Sequence, residues 1–356
     1  MIRMADLAAR HARVAGRAEA AVLEVLRSGR YVGGPRVSEV QARVSARMGW
    51  AHGASTNSGT DALVYAILAL GLAPGGEIIV PAVTFFATAG AVVRAGHTPV
   101  VADVRPDYPN LDLERLPLRR STRAVVAVHL YGEGCFLPGL DVPVVDDLAQ
   151  VIGADPPPRN GNIGAMSFYP TKTLGAAGDG GLVLTDDADT QQAVLRLTHH
   201  GMLANNVHER VRGHVGANSR LDAMQAAVLL AHLDDLDARV RARRATAARY
   251  DAELPPWVQR LPRSAGHPIH QYVVRVPGRD ALRAHLADRG VESAIYYPIP
   301  LSRQKALDGI EHAPTPEADR FCAESLALPV HECLDERDVS AVIDAVRSSA
   351  GGALSP

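Results

Sequence analysis

The chain has 356 residues, 47% of them hydrophobic, and a formal net charge of −2 at pH 7. This length allows a large core, and this weak charge argues against a protein that coats nucleic acid or an anionic membrane. The longest apolar stretch, residues 62–74, is shorter than the roughly 20 residues of a membrane span. We see no secretory signal, and Cys135, Cys322 and Cys333 have no metal-ligand or disulfide spacing, which fits a reducing cytoplasm.

Strands and helices are predicted to alternate from about residue 50 to residue 185. Residues 58–72 are typical of a capped helix, because small polar residues precede apolar residues at helical spacing. A second helix is predicted at 84–96. Strands are predicted at residues 77–81, 99–104, 123–132, 142–147, 167–172 and 180–187. Apolar strands separated by helices indicate a mostly parallel sheet covered by helices.

The C-terminal third is predicted to begin with one long helix. Leu229, Leu233, Leu236 and Val240 form an apolar stripe at helical spacing, with arginines and aspartates on the other face. We therefore expect one continuous helix over residues 221–254.

The remaining residues predict a smaller unit. Residues 271–276, 279–290 and 291–298 are typical of a strand, a helix and a second strand. We expect a large domain over residues 1–235 and a small C-terminal domain over residues 236–356. The tail GGALSP is expected to be disordered.

Lysine is rare in this chain. Of 37 basic residues only Lys172 and Lys305 are lysines, so arginine serves wherever a positive charge is enough. A remaining lysine is a candidate for chemistry that arginine cannot perform, such as a Schiff base with an aldehyde. Lys305 lies in an ordinary polar segment and is expected to be a surface charge. Lys172 lies beside a glycine-rich segment, residues 175–181, that matches no nucleotide-binding pattern.

Two further features are typical of a ligand site at the edge of the sheet. Asp146 and Asp147 end a predicted strand at the edge where open α/β sheets bind ligands, and at most one of them faces a site because neighbours on a strand point to opposite faces. Ser58, Gly59 and Thr60 open a predicted helix, whose free amides and dipole favour a phosphate. Helix capping alone would also explain both features.

Together, a helix start, a strand-end carboxylate and a solitary lysine are what pyridoxal phosphate needs. A lysine binds its aldehyde, a helix N-terminus its phosphate, and a carboxylate its pyridinium nitrogen. An aromatic ring usually lies against the cofactor, and Phe85 or Phe86 is available. The sequence therefore predicts pyridoxal phosphate as the cofactor.

The chain resembles the DegT/DnrJ/EryC1/StrS family of sugar aminotransferases over nearly its whole length. The resemblance is carried by the motifs SGRYVGGPRV, NSGTDAL, VPAVTFFAT, VVDDLAQ, SFYPTKTLG, GANSRLDAMQAA and YYPIPLSRQ. It implies a fold-type I pyridoxal phosphate transferase of the α/β class, with a mostly parallel central sheet covered by helices and a smaller C-terminal α/β domain.

The resemblance also implies roles for individual residues. Lys172 would be the catalytic residue that binds the cofactor covalently, Asp147 would pair with the pyridinium nitrogen, and Phe85 would stack on the ring. The other implied cofactor-binding residues are Gly59, Thr60, Gln150, Ser167 and Asn218, and the implied substrate-binding residues are Tyr31, Arg220 and Tyr297. Asn218 and Arg220 would reach the site of the other subunit of a homodimer.

Two positions depart from the family pattern, since Asp146 replaces the usual glutamate and Ser302 replaces a frequent histidine. Lys172 argues against the dehydratase branch, in which histidine replaces the lysine, and the NSRLD motif resembles members acting on 3-keto nucleotide sugars.

We predict a cytoplasmic aminotransferase that converts a keto sugar, nucleotide-linked and oxidised at carbon 3, with glutamate as donor. A dehydratase or isomerase of the same fold, or a non-catalytic regulatory protein, remains an alternative. We expect neither nucleic acid, membrane nor metal to bind.

Overall fold

The computed structural model describes residues 1–310 and 312–349, so the predicted disorder of residues 351–356 lies outside the described residues. The helices are α1 (Leu7–Ala12), α2 (Ala15–Ser28), α3 (Pro35–Arg47), α4 (Gly59–Ala69), α5 (Ala87–Arg94), α6 (Ala188–Leu197), α7 (Ala223–Leu233), α8 (Leu236–Glu253), α9 (Arg279–Asp288), α10 (Pro316–Glu324) and α11 (Glu336–Arg347). The strands are β1 (His52–Thr56), β2 (Glu77–Pro81), β3 (Thr98–Ala102), β4 (Thr122–Val128), β5 (Val144–Asp147), β6 (Ile163–Ser167), β7 (Gly181–Thr185), β8 (Met202–Ala204), β9 (Val207–His208), β10 (Gln259–Arg260), β11 (Tyr272–Arg275) and β12 (Ser325–Leu328). Among the described residues, no helix is long and apolar enough to cross a membrane.

The central sheet has seven strands in the order β1-β7-β6-β5-β4-β2-β3. Its neighbours pair in parallel except β7, which runs antiparallel to both β1 and β6. Side chains alternate between two hydrophobic clusters, since Leu182 and Leu184 pack on one face and Val183 on the other. Both faces are therefore buried, and the predicted mostly parallel sheet is confirmed.

A second core forms in the C-terminal part of the chain. The antiparallel sheet β10-β11-β12 shares a hydrophobic cluster with α9 and α11 and with the end of α8, where the Tyr250 and Tyr272 ring centroids are 5.0 Å apart. The first residues of the chain join this unit, because the Ile2 amide donates to the Gly290 carbonyl at 2.7 Å. The N-terminus is thereby tied to the C-terminal unit just after α9.

The predicted single helix over residues 221–254 is wrong, because the structure has two helices that meet at Asp234 and Asp235. Aspartate is a weak helix former, and the carboxylates of Asp234 and Asp235 pair with arginines of other segments. Asp234 accepts from Arg43 at 2.7 Å, and Asp235 accepts from Arg13 at 2.9 Å. These pairs fix the turn between α7 and α8.

Two predicted strands are also wrong. Residues 291–298 form only single bridges, at Val291 and Ala294, and β11 pairs with β10 and β12 instead. The chain leaves the sheet here so that Tyr296 and Tyr297 reach the central cavity. Only Ser167 of residues 167–172 belongs to a strand, as the last residue of β6, and a turn follows it, because Pro170 lacks an amide and the Lys172 amide donates to the Tyr169 carbonyl at 2.8 Å.

Candidate active site

A cavity of about 530 Å³ opens where β4, β5 and β6 end. Val128, Asp147 and Ser167 line it from the ends of these strands. This is the edge at which open α/β sheets bind ligands, and the volume suits a small-molecule site. The start of α4 and the segment at Tyr296 and Tyr297 close the sides.

The start of α4 presents an anion site to the cavity. Ser58 is the N-cap, and its Oγ accepts the Asp61 amide at 3.1 Å. Gly59 and Thr60 occupy the first two helical positions, so their amides have no partner within the helix. Together with the nearby Ser167 hydroxyl, these amides suit a phosphate group.

Asp147 and Lys172 face the same cavity and shift each other's ionisation. Burial raises the pKa of Asp147, and the Ala149 amide and the Lys172 charge oppose that rise. Burial lowers the pKa of Lys172, and Asp147 opposes that fall. The Lys172 side chain is partly exposed to the cavity, and its Nζ has no hydrogen-bond partner among the described residues, which leaves the amine free for covalent chemistry.

Asp146 does not line the cavity, and its carboxylate is hydrogen-bonded to neighbouring loop and strand residues instead. Its Oδ1 lies 3.1 Å from His129 Nε2, and its Oδ2 accepts the Asn160 and Gly161 amides at 2.9 and 3.0 Å. The Cys135 amide donates to His129 Nδ1 at 3.0 Å, so Nε2 carries the proton and donates to Asp146. Burial raises the pKa of Asp146, but His129 and the two amides outweigh burial and lower it.

Gln150 is oriented by a strained backbone. Tyr131 has φ of 56°, in the left-handed region, and its amide donates to Gln150 Oε1 at 2.5 Å. The Gln150 amide group in turn donates to the Tyr297 hydroxyl at 3.4 Å. A buried aromatic pair, Tyr131 and Tyr297 with ring centroids 6.1 Å apart, supports this side of the cavity.

The cavity contains most, but not all, of the residues that the sequence singled out. It is lined by Gly59, Thr60, Phe85, Asp147, Gln150, Ser167, Lys172 and Tyr297. The Phe85 side chain is 65% exposed at its mouth.

The other three predicted residues lie outside the cavity in the single chain. Arg220 lines an adjoining depression that shares Ser58 and Asp179 with the cavity. Asn218 is exposed and accepts from Arg220 Nε at 2.8 Å. Tyr31 is exposed, and its hydroxyl donates to the Leu26 carbonyl at 3.4 Å. The chain alone therefore does not bring Asn218, Arg220 and Tyr31 to the other site residues.

Sequence reasoning missed several cavity residues. Thr88 donates to Asp147 Oδ2 at 3.3 Å and lies four residues after Thr84, a helical spacing that was visible in the sequence. His129 is a polar residue within the predicted strand 123–132, which is also a signal that the sequence offers. His270 reaches the cavity through tertiary packing, and its Nδ1 lies 3.2 Å from Thr173 Oγ1.

These residues fit pyridoxal phosphate. Gly59 approaches Ser167 so closely that a Cβ on residue 59 would lie 2.5 Å from the Ser167 Cβ. This approach places the Ser167 hydroxyl beside the unpaired amides of the helix start, where both can bind one phosphate. An amine without a hydrogen-bond partner at Lys172 and a buried carboxylate at Asp147 supply the other two contacts that this cofactor needs. The fold and the site together define a pyridoxal phosphate enzyme.

The particular family follows from comparison with known sequences. The sequence model of the DegT/DnrJ/EryC1/StrS aminotransferase family matches residues 13–347, and the chain belongs to this family. A Pseudomonas aeruginosa protein named UDP-2-acetamido-2-deoxy-3-oxo-D-glucuronate aminotransferase is 34% identical over 97% of this chain and 99% of its own. A Streptomyces venezuelae protein named dTDP-3-amino-3,4,6-trideoxy-alpha-D-glucose transaminase is 38% identical over 96% of this chain and 94% of its own.

Solved structures agree with this assignment. A DegT DnrJ EryC1 StrS aminotransferase from Brucella abortus superposes with a TM-score of 0.92 at 34% identity, covering 98% of this chain and 99% of that one. The NtdA structure from Bacillus subtilis, with bound cofactor PMP, superposes with a TM-score of 0.86 at 26% identity, covering 94% of this chain and 81% of that one. The predicted fold class, aminotransferase class and pyridoxal phosphate cofactor are thus confirmed at the level of the family.

Proposed function

We propose that this protein is a pyridoxal-phosphate-dependent aminotransferase that converts a nucleotide-linked 3-keto sugar to a 3-amino sugar, with glutamate as the amino donor. The observation that carries this proposal is the meeting of Lys172, Asp147 and the first turn of α4 in one cavity. The 3-oxo and 3-amino sugars in the names of the Pseudomonas and Streptomyces relatives support the position on the sugar.

Each part of the cofactor has a residue to receive it. The amides of Gly59 and Thr60, with the Ser167 hydroxyl, would hold the phosphate. Asp147 would hold a proton at the ring nitrogen, Phe85 would stack on the ring, and Gln150 would contact the hydroxyl side of the ring. When bound, pyridoxal phosphate supplies an electron-withdrawing ring that stabilises negative charge on the carbon that carries the amino group.

Lys172 would carry the proton transfers. An amine must be neutral to accept a proton, and burial lowers the pKa of Lys172 toward that state. The Lys172 Nζ would take the proton from the donor's α-carbon and return a proton when the sugar is aminated. Tyr297, beside Gln150, would contact the substrate from the C-terminal unit.

The half-reaction tests this function without knowledge of the sugar. We expect the purified protein with pyridoxal phosphate to release 2-oxoglutarate from glutamate in a single turnover, and then to aminate a 3-keto nucleotide sugar in preference to its 4-keto isomer. A dehydratase or a regulatory protein would release no 2-oxoglutarate. Absence of the half-reaction with every amino acid tried would refute the proposal.

We further propose a homodimer with shared sites, in which Asn218, Arg220 and Tyr31 complete the site of the partner. Their place outside the cavity of their own chain supports this arrangement.

We also propose the division into a large domain, residues 1–235, and a small one, residues 236–356, since the junction between α7 and α8 falls at that boundary. A cytoplasmic location would keep the three free cysteines reduced.

A further inference from the structure

The segment that carries Lys172 is held by an arginine from the start of the chain. Arg10, in α1, is 3% exposed. Its Nη1 donates to the Pro170 carbonyl at 2.8 Å and to the Lys172 carbonyl at 3.0 Å. One guanidinium nitrogen therefore bridges two carbonyls of the turn that carries the Lys172 side chain.

The other end of Arg10 is anchored in the C-terminal part of the chain. Its Nε donates to Glu332 Oε1 at 2.6 Å, a contact between residues 322 positions apart. Glu332 also accepts from Arg243 Nε, at 3.1 Å. The glutamate is 6% exposed, so the two guanidinium groups replace the water that the charge has lost.

Arg243 extends the same network to a second wall of the cavity. Its Nη1 donates to the carbonyls of Ile269 and His270, at 3.2 and 3.1 Å, and to that of Val330 at 2.9 Å. His270 lines the cavity. Glu332 thus connects two backbone segments, one at Lys172 and one at His270, through two arginines.

We propose that Arg10, held by Glu332, is a positioning residue that fixes the Lys172 turn against the C-terminal unit. A buried ion pair adds little net stability compared with apolar residues of the same volume, but its hydrogen bonds fix the relative orientation of the groups, which apolar packing does not. Here one of those hydrogen bonds is donated by Arg10 to the carbonyl of Lys172 itself. The lysine side chain is long and flexible, so the position of its backbone sets where the Nζ can reach.

The inference rests on the proposed function only in its kinetic consequence. A displacement of about 1 Å at a reacting group costs on the order of a hundredfold in rate, so loss of Arg10 acts on the proton-transfer step more than on substrate binding. The mobility of the turn itself can be measured without any reaction.

The test compares Arg10→Met, which keeps the length and removes the donors, with Arg10→Lys and with the control Arg13→Met. Arg13 also belongs to the N-terminal region and pairs with Asp235 at 2.9 Å, but its side chain is 37% exposed. We expect Arg10→Met to lower the rate of the glutamate half-reaction at saturation by about tenfold or more, with the half-saturation concentration within about twofold. Arg10→Lys restores part of the rate. Arg13→Met keeps the rate of the unmodified protein, because its pair with Asp235 lies at the turn between α7 and α8 and not at the Lys172 turn.

Hydrogen exchange supplies the second measurement. In the protein loaded with pyridoxal phosphate, we expect Arg10→Met to speed the exchange of residues 169–173 by about tenfold or more, because their support is lost. Glu332→Gln, which weakens the anchor but leaves Arg10 in place, gives a smaller change in the same direction. If Arg10→Met does not fold, the exchange of residues 169–173 is measured in Glu332→Gln instead.

A lowered melting temperature with unchanged exchange at residues 169–173 and unchanged rate would overturn the proposal, since Arg10 would then be merely structural. If the unmodified protein shows no half-reaction, the proposed function fails while the exchange measurement still decides whether Arg10 holds the turn. Equal effects of Arg13→Met and Arg10→Met would also overturn it.

Discussion

The Cα of Gly59 lies so close to Ser167 that a Cβ on residue 59 would be 2.5 Å from the Ser167 Cβ and 2.8 Å from its Oγ. Gly59 is the first residue of α4, and Ser167 is the last residue of β6. Only a residue without a side chain allows the helix start to approach the strand end this closely. The anion site of the cavity depends on that approach.

Gly59→Ala should therefore damage the site. The added methyl group must push α4 away from β6, at a cost of about 1–3 kcal/mol, and the displaced amides should bind pyridoxal phosphate about tenfold more weakly. The control is Gly16→Ala in α2, where a Cβ meets nothing within 4 Å and should be neutral or stabilising. Thermal unfolding and cofactor titration measure both effects, and equal cofactor affinity in the two variants would contradict the prediction.

Lys172→Arg tests the covalent role of the lysine. Arginine keeps the positive charge but cannot bind an aldehyde, so the variant should lose the visible absorption band that borohydride abolishes. Turnover should fall by about 10²–10⁴-fold, because the proton acceptor is lost as well. Lys305→Arg is the matched control and should keep both band and turnover. Labelling of Lys305 instead of Lys172 after borohydride treatment would show that the site is misassigned.

The two neighbouring aspartates should respond differently to the same change. Asp147→Asn should bind the cofactor but lose about 10²–10³-fold in half-reaction rate, since a neutral amide cannot hold a proton on the ring nitrogen. Asp146→Asn should affect mainly stability, by about 1–3 kcal/mol, because it places an amide group against the backbone amides of Asn160 and Gly161. Equal losses of rate in the two folded variants would mean that the structure does not separate their roles.

The parts of the site that the sequence predicts are local ones. A run of apolar residues that ends in Asp146 and Asp147 identifies a strand and its edge, and the alternation of side chains leaves only one of the two carboxylates for the site. The start of α4 and the isolated Lys172 are also visible locally. These pieces meet because parallel strands end at the same edge, a rule that needs no tertiary detail.

The parts that the sequence does not predict depend on distant partners. The break between α7 and α8 follows from arginines of other segments that pair with Asp234 and Asp235. Residues 291–298 have the composition of a strand, but the sheet edge is taken by β12. The contact between Arg10 and Glu332 joins residues 322 positions apart, and no local pattern indicates it.

Glu332 should make the stability depend on pH. Burial raises its pKa, but Arg243 and Arg10 outweigh burial and lower the pKa to about 2. A depressed pKa adds stability above the unfolded value, here the ordinary 4.5, and that stability is lost as the pH falls from 4.5 toward 2.

Glu332→Gln should lower the free energy of unfolding at pH 7 by about 3 kcal/mol and flatten the stability profile between pH 5 and pH 2. The control is Glu253→Gln, a surface glutamate paired with Arg249, which should change little. Urea unfolding at several pH values measures the profiles. Parallel profiles for Glu332→Gln and the unmodified protein would show that Glu332 carries no stabilising charge.

Asn218 and Arg220 lie outside the cavity of their own chain, and the depression that Arg220 lines, about 430 Å³ in volume, opens beside the cavity. If these residues serve the partner's site, each site of the dimer takes Lys172 from one chain and Asn218 from the other. An inactive Lys172→Ala protein and an Asn218→Ala, Arg220→Ala protein should then restore activity when unfolded and refolded together.

The expected recovery follows from the geometry of a symmetric dimer. In a mixed dimer one site contains all three alanine substitutions, and the other site has an intact lysine and intact partner residues. Random pairing makes half of the dimers mixed, with one good site of two, so activity should reach about a quarter of that of the unmodified protein. Two affinity tags first establish that mixed dimers have formed. Mixed dimers without recovered activity would mean that Asn218 and Arg220 serve only their own chain.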